Sequence, residues 1–234
     1  MPLEISARFE ALQSSTMSLF RSLESLGDDD VRAASLLPGW TRGHVLTHLA
    51  RNADALGNLV TWARTGTETP MYPSRESRAA DIEAGAARSA AELVADIREG
   101  HERLLAQMSD LPTAAWTNLW GDPGRQREAA VIPVLRRSEV EIHHVDLDLE
   151  YTLAHLPEDF VEDMLTEVTA DFSQRDEVPG MVLVGNDGEG RWTIEPGGDE
   201  LTGPPPSLLG YLIGRTDGIG LHTDGELPRL EAWR

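Results

Sequence analysis

Apolar side chains recur at three- and four-residue steps through most of the first two thirds of the chain. The first such run extends from Leu3 to Leu26 and carries Phe9, Leu12 and Leu19 on one face. This spacing is typical of an amphipathic helix whose apolar stripe packs against other helices. Further long helices are predicted over 41–64, over 74–109 with a break near 85–89, and over 128–151. Four main helices with short connections predict an up-and-down bundle.

The pattern changes after about residue 155, where short apolar runs alternate with glycine- and proline-containing turns. Such runs between turn residues are typical of the strands of a small sheet. The predicted elements are a helix over 156–172, strands over 181–184 and 192–194, a helix over 208–214 and a strand-like segment over 219–230. The sequence therefore predicts an α+β fold, with a helical bundle over 1–155 and a small α/β domain over 156–234.

Charge and composition exclude several classes of function. The net charge of −20 argues against nucleic acid or an anionic membrane surface as a partner. The chain has no cysteine, which excludes disulfides, zinc–thiolate sites and a cysteine nucleophile. All 20 basic residues are arginine, which excludes a lysine Schiff base. Any thiol in the chemistry must therefore come from a small molecule.

The sequence shows neither a run of about 18 apolar residues, which would suggest a membrane span, nor a basic start followed by an apolar stretch. We therefore expect a cytoplasmic protein that does not associate with membranes. No feature of the sequence requires an oligomer, so a monomer is the expected state.

Two pairs of candidate metal ligands are spaced four residues apart within predicted helices. His44 and His48 share a face of the second long helix, and Glu139 and His143 share a face of the fourth. Two histidines, one carboxylate and an open position form a catalytic zinc pattern. Bundle cores build metal sites from facing helices in this way. The spacing leaves open the choice between His44 and His48, and between His143 and His144.

The remaining titratable residues of these helices have secondary roles in this interpretation. Glu141 and Asp146 are candidates to orient the metal ligands through hydrogen bonds. His101, His155 and His222 have no partner pattern, and we expect them at the surface.

Four segments resemble the mycothiol-dependent maleylpyruvate isomerases of the DinB-like helical-bundle superfamily. Residues 39–56, GWTRGHVLTHLARNADAL, resemble the first metal motif of that family, and residues 137–147, RSEVEIHHVDL, resemble its second. Residues 68–72 are similar to the family's loop after the second helix, and residues 214–218 resemble part of its small C-terminal domain. The resemblance spans nearly the whole chain and implies a DinB-like four-helix bundle followed by a small α/β domain.

The resemblance also implies roles for individual residues. The family's first metal histidine falls on His48, and its Glu and His separated by three residues fall on Glu139 and His143. The resemblance thus favours His143 over His144 as the ligand. The implied metal is zinc or another divalent ion, with water in the fourth position. The family's functional arginine falls on Arg215, which taken alone would be a charge at the end of a helix.

The activity implied by the resemblance is cis–trans isomerisation of maleylpyruvate to fumarylpyruvate, with mycothiol as the thiol cofactor. The expected partners are accordingly a small-molecule substrate and a low-molecular-weight thiol. The alternative is a mycothiol S-transferase of the same fold that acts on another electrophile, in detoxification or secondary metabolism.

Overall fold

The computed structural model describes residues 3–188, 190–230 and 233. The chain divides into two compact units, Met1–Glu150 and Tyr151–Arg234. The boundary predicted after residue 155 falls just beyond a 3-10 turn, Leu153–His155, in the second unit. No helix in the described part of the chain is long and apolar enough to cross a membrane.

The first unit is a helical bundle in which α3 is the central element. Its elements are α1 (Leu3–Leu23), α2 (Asp28–Arg32), α3 (Arg42–Thr65), α4 (Arg75–Gly85), α5 (Ala90–Ser109), β1 (Leu119–Trp120), β2 (Arg127–Glu128) and α6 (Ile132–Asp146). The helix α3 packs against α4, α5 and α6, and α1 packs against α6. The short strands β1 and β2 pair antiparallel in the connection between α5 and α6.

The start of α3 is fixed by reciprocal capping bonds. The Thr41 hydroxyl accepts a hydrogen bond from the backbone N–H of His44, and Nδ1 of His44 accepts one from the N–H of Thr41 at 3.1 Å. These bonds satisfy two backbone donors that the first helical turn leaves open. Gly66, in the left-handed conformation with φ of 69°, ends the helix. The predicted span 41–64 is confirmed within a residue.

The predicted break in the third long helix is confirmed, and α4 and α5 are separate helices. Ser89 caps α5, because its hydroxyl accepts from the N–H of Glu92 while the Glu92 carboxylate accepts from the N–H of Ser89 at 3.0 Å. The fourth helix is shorter than predicted. Residues 129–131 form a 3-10 turn before α6, and Asp148, with φ of 53°, lies outside helical geometry beyond its end.

The second unit combines a three-stranded sheet with two helices. Its elements are α7 (Glu158–Phe172), β3 (Met181–Gly185), β4 (Arg191–Ile194), β5 (Asp199–Gly203) and α8 (Pro205–Leu212). The central β3 pairs antiparallel with β4 and parallel with β5. The helix α7 packs against α8 and β4, and α8 packs against β3 and β5. The α+β fold class is confirmed.

Two features of the sheet differ from the sequence-based expectation. The strand β5 was not predicted, because its sequence DELTG lacks an apolar run. The segment 219–230 was expected to be strand-like, but among the described residues it contributes only an isolated bridge between His222 and Thr202. Glycines at 220 and 225 and a proline at 228 interrupt that segment and disfavour a continuous ladder.

The close approach of α3 to the end of α4 gives a prediction about stability. A Cβ added at Gly43 would lie 2.2 Å from the backbone oxygen of Ala86, whereas one added at Gly57 would meet only the flexible end of Gln107. We expect Gly43→Ala to lower the free energy of unfolding by about 1–3 kcal/mol through overpacking. The matched Gly57→Ala should be neutral or stabilise by up to about 1 kcal/mol, because alanine favours helix. Urea denaturation of both variants measures the change in the free energy of unfolding, and equal changes in the two variants would contradict the prediction.

His101 was expected at the surface, but it is buried on α5 with only 6% of its area exposed, and its ring meets Phe20 edge-on. Burial, with a smaller effect of Arg136, lowers its pKa from 6.5 to about 4. The unfolded chain therefore binds a proton below pH 6.5 that the folded chain excludes until about pH 4. The contribution of His101 to the free energy of unfolding is complete above pH 6.5 and is lost as the pH falls from 6.5 to about 4.

We expect the free energy of unfolding to fall between pH 7 and 4 by about 2–3 kcal/mol more in the wild type than in His101→Phe, with a metal chelator present in both samples. Denaturant titrations across this pH range provide the measurement. His155→Phe, at an exposed histidine of the second unit, offers a control for the loss of one imidazole. If the free energy of unfolding of His101→Phe depended on pH as that of the wild type does, this histidine would not set the acid sensitivity.

Candidate metal centre

Three side chains from α3 and α6 converge in the first unit. Potential ligand atoms of His48, Glu139 and His143 all lie within 4.8 Å of one another. Oε2 of Glu139 lies 2.9 Å from Nε2 of His48 and 3.3 Å from Nε2 of His143. The two imidazole rings stand nearly perpendicular, with their centroids 4.5 Å apart. In the described part of the chain this is the one group of three such residues with metal-ligand spacing.

Helix geometry explains how the three side chains meet. Glu139 and His143 are one turn apart on α6 and project from one face. His48 lies two turns into α3, the helix that packs directly against α6. The ring of Trp40 meets the ring of His48 edge-on at 5.9 Å. His48 is nearly fully buried, while Glu139 keeps 28% of its side chain exposed, so the cluster retains access from one side.

The groups of the cluster differ in their protonation. Burial lowers the pKa of His48 from 6.5 to about 4, against the opposing effect of its hydrogen bond to Glu139. Burial would also lower the pKa of His143, but its bonds to Asp146 and Glu139 outweigh that effect and raise the pKa. Burial opposes ionisation of Glu139, yet its bonds to both histidines hold its pKa well below the usual range. At neutral pH His48 is therefore neutral and Glu139 is ionised.

Each histidine has a partner on its second nitrogen. Nδ1 of His143 lies 2.8 Å from Oδ2 of Asp146, a carboxylate whose side chain is completely buried. A carboxylate in this position is the usual partner that orients a metal-binding histidine. Nδ1 of His48 lies 3.1 Å from Nη2 of Arg78 on α4. Because a guanidinium only donates, this Nδ1 accepts, and Nε2 of His48 carries the proton that faces Glu139.

The residues present fit a divalent metal ion. Two imidazole nitrogens and one carboxylate oxygen from facing helices match the donor set of catalytic zinc sites, and other divalent ions accept the same donors. The buried Asp146 supplies the outer support that such ligands need.

The structure separates the alternatives that spacing left open. His44 belongs to the cap of α3, its Nε2 lies 3.2 Å from Glu83, and its ring stacks on Trp40. Fully buried His144 lies with Nε2 2.8 Å from the hydroxyl of Ser22. Neither belongs to the three-residue cluster. Of the two candidate orienting residues, Asp146 contacts His143, and Glu141 is buried elsewhere on α6.

Two arginines near the cluster were not predicted. Arg78 reaches His48 from α4, and no periodicity in its own segment indicates this contact. Arg136 is completely buried one turn before Glu139, and its Nη1 donates to the carbonyl of Leu49 and to Oδ1 of Asn52, both at 2.7 Å. Burial lowers the pKa of Arg136 to about 10, so it stays charged at neutral pH. Its position three residues before Glu139 is the one signal that could have identified it.

Arg215 belongs to the second unit, directly after α8. Gly214 adopts the left-handed conformation with φ of 71°, and the N–H of Arg215 then donates to the carbonyl of Gly210 at 2.7 Å. This is a common way to end a helix. The guanidinium Nη1 of the partly buried Arg215 donates to the carbonyl of Ile213 at 2.8 Å. The turn thus fixes the backbone from which this cation extends.

Comparison with known proteins agrees with this geometry. Residues 12–148 match the family model of the mycothiol maleylpyruvate isomerase N-terminal domain. A crystal structure of the mycothiol-dependent maleylpyruvate isomerase and one of its histidine-to-alanine mutant are each 30% identical to the chain, with a TM-score of 0.91. Both alignments cover 100% of this chain and 98% of the other. No curated protein matches the sequence. The chain belongs to the mycothiol-dependent maleylpyruvate isomerase family.

Proposed function

We propose that this protein is a metal- and mycothiol-dependent cis–trans isomerase that converts maleylpyruvate to fumarylpyruvate. The observation that supports this most directly is the cluster of His48, Glu139 and His143, held between α3 and α6 in a chain of this family. The proposed metal is zinc, bound at one ion per chain. The cytoplasmic location and monomeric state stay predictions.

The absence of cysteine determines where the nucleophile originates. In the proposed reaction the thiol adds to the conjugated double bond, rotation follows about the resulting single bond, and elimination restores a trans double bond with release of the thiol. The chain contains no cysteine, so this sulfur is supplied by the bound small molecule. A divalent metal at the cluster supplies a Lewis acid that favours the thiolate or polarises a substrate oxygen.

The chain's own residues prepare that site. His48 is neutral at pH 7 because burial lowers its pKa, and Glu139 is ionised, so both are in the states that bind a metal. Asp146 accepts from Nδ1 of His143 and thereby directs Nε2 toward the cluster. The side chain of Trp40 shields one edge of the His48 ring.

Arg215 is proposed to bind a carboxylate of the substrate and to stabilise the negative charge that develops on thiol addition. A guanidinium holds a carboxylate through two parallel hydrogen bonds, and preorganised cations of this kind lower barriers to enolate formation. The support for this role is the match of Arg215 to the family motif and its position on a fixed turn.

The metal assignment gives a prediction that distinguishes the two histidines of α3. We expect the purified wild type to bind one Zn²⁺ per chain, and His48→Ala to lose it, because two remaining ligands form a weak site. The control His44→Gln should bind metal normally and preserve the cap, since glutamine at the third helical position also completes a capping box. The zinc content of each variant after dialysis provides the measurement. Full occupancy in His48→Ala would refute the assignment.

The activity is tested by following maleylpyruvate with the zinc-loaded protein, with and without mycothiol. We expect turnover that depends on the thiol and leaves the concentration of free thiol unchanged. Arg215→Ala should lower kcat/KM by about a hundredfold or more while binding zinc normally, because it removes a cation that acts on the reacting substrate. The exposed Arg229 provides the control, and Arg229→Ala should retain wild-type activity.

Consumption of the thiol with formation of an adduct would instead support the mycothiol S-transferase. Full activity of Arg215→Ala would refute the role given to that residue. Zinc binding without turnover of maleylpyruvate would refute the isomerase and direct the search to other electrophiles.

A further inference from the structure

Arg78 on α4 places a positive charge directly beside the metal cluster. Its Nη2 lies 3.1 Å from Nδ1 of His48, and the opposite nitrogen of that ring, Nε2, faces Glu139. Only the width of one imidazole ring therefore separates the guanidinium from the ligand atoms of the cluster. Arg78 is partly buried, so water and salt screen its charge less than that of a fully exposed arginine.

No carboxylate in the described part of the chain forms an ion pair with Arg78. Other arginines of the first unit differ, since Arg51 and Arg88 both pair with Asp96, at 2.7 and 2.8 Å. The nitrogen of His48 that accepts from Arg78 satisfies one N–H but carries no negative charge. A partly buried cation without an anion costs free energy, and binding an anion offsets that cost. This position therefore favours a negatively charged ligand.

Tyr72 also contacts the guanidinium of Arg78. Cζ of Arg78 lies 5.6 Å from the centre of the phenol ring. Burial raises the pKa of the Tyr72 phenol, and its hydrogen bond with Arg78 opposes that rise. A guanidinium has five N–H donors, so the contacts with His48 and Tyr72 leave donors for an incoming group. The same contacts restrict a flexible side chain and thereby lower the entropy lost when a ligand binds.

The substrate of the proposed reaction is an anion that needs more than one cation. Maleylpyruvate carries two carboxylates, and one of them is attached directly to the double bond that changes configuration. If that bond reacts at the metal cluster, its carboxylate must lie within a few bond lengths of the cluster. A guanidinium binds a carboxylate through two parallel hydrogen bonds. Arg215 is assigned to one carboxylate, so the second requires another group.

We propose that Arg78 binds the carboxylate attached to the double bond of the substrate and so selects anionic electrophiles for this site. The inference rests on the proposed function and deepens it, because it names a second substrate-binding residue and leaves the other carboxylate to Arg215. The competing interpretation is that Arg78 only orients the ring of His48 through Nδ1. The two interpretations predict different effects when the charge is removed.

Three variants separate the charge of Arg78 from its packing. Arg78→Met removes the charge but keeps an unbranched side chain that favours helix. Arg78→Lys keeps the charge without the two-pronged geometry of a guanidinium. The matched control is Arg75→Met, because Arg75 is an exposed arginine three residues earlier on the same helix. Zinc content and thermal melting are measured first, and we expect every variant to fold and to bind one Zn²⁺.

The direct readout is calorimetric binding of maleate, a cis dicarboxylate that undergoes no addition without a thiol, to the zinc-loaded protein. We expect Arg78→Met to weaken maleate binding by about tenfold or more, because it removes a charge-assisted contact. Arg78→Lys should retain part of the affinity, and Arg75→Met should bind maleate as the wild type does. In turnover, Arg78→Met should raise KM for maleylpyruvate by a similar factor and leave KM for mycothiol unchanged.

Three binding results would overturn the inference: wild-type affinity for maleate in Arg78→Met, an equal loss of affinity in Arg75→Met, or no binding of maleate to the wild type. Loss of zinc from Arg78→Met would show that Arg78 supports His48 instead and would also overturn it.

Failure of the proposed function gives a different pattern. If maleate binding depends on Arg78 but maleylpyruvate is not converted by the wild type, the carboxylate site holds and the isomerase assignment fails. If Arg78→Met converts maleylpyruvate with the wild-type KM, the isomerase assignment holds and the role given to Arg78 fails.

Discussion

The contact between α3 and α6 brings ionisable groups into the interior of a helical bundle, and their charges must be compensated there. Glu139 bonds to both histidines of the cluster, and Asp146 bonds to His143. Arg136, completely buried on the same helix, is held by a carbonyl and an amide oxygen of α3. Removing one member of such a set would leave a buried charge or donor without compensation. The cluster therefore depends on α3 and α6 keeping one fixed register.

The start of α3 is fixed by its cap. Thr41 and His44 cap the helix together, so the first turn begins at a defined residue, and His48 follows one turn after His44. Gly43 permits the backbone at Ala86 to approach closely, which places α4 beside the same part of α3. The side chain of Arg78 on α4 can then reach His48. The cap of α3 and the close approach at Gly43 thus contribute to the placement of side chains around His48.

The sequence predicted those parts of the site that follow from helical spacing. Glu139 and His143 share a face of α6 because they are four residues apart, and the start of α3 near residue 41 was predicted from the apolar run that follows it. Spacing could not choose between His44 and His48, since both lie on one face. The family resemblance favoured His48, and the structure shows that His44 serves the cap instead.

The contacts of Arg78, Arg136 and Tyr72 could not be predicted, because they depend on how separate helices and a loop pack in three dimensions. A fully buried arginine also contradicts the usual preference of charged residues for the surface. In the second unit, β5 escaped prediction for a related reason. It gains its place by pairing with the apolar β3 and not through an apolar pattern of its own.

The protonation of His48 connects the metal cluster to its surroundings. Its Nδ1 accepts from Arg78, so on a neutral ring the proton lies on Nε2, toward Glu139. A metal ion held at Nε2 would take the place of that proton, and a neutral ring would then carry its proton on Nδ1, where it would face a donor. Metal binding at Nε2 and the contact with Arg78 are therefore mutually exclusive on a neutral imidazole. Arg78 also lies over the ring of Tyr72, so a change in its contact with His48 would bear on that ring as well.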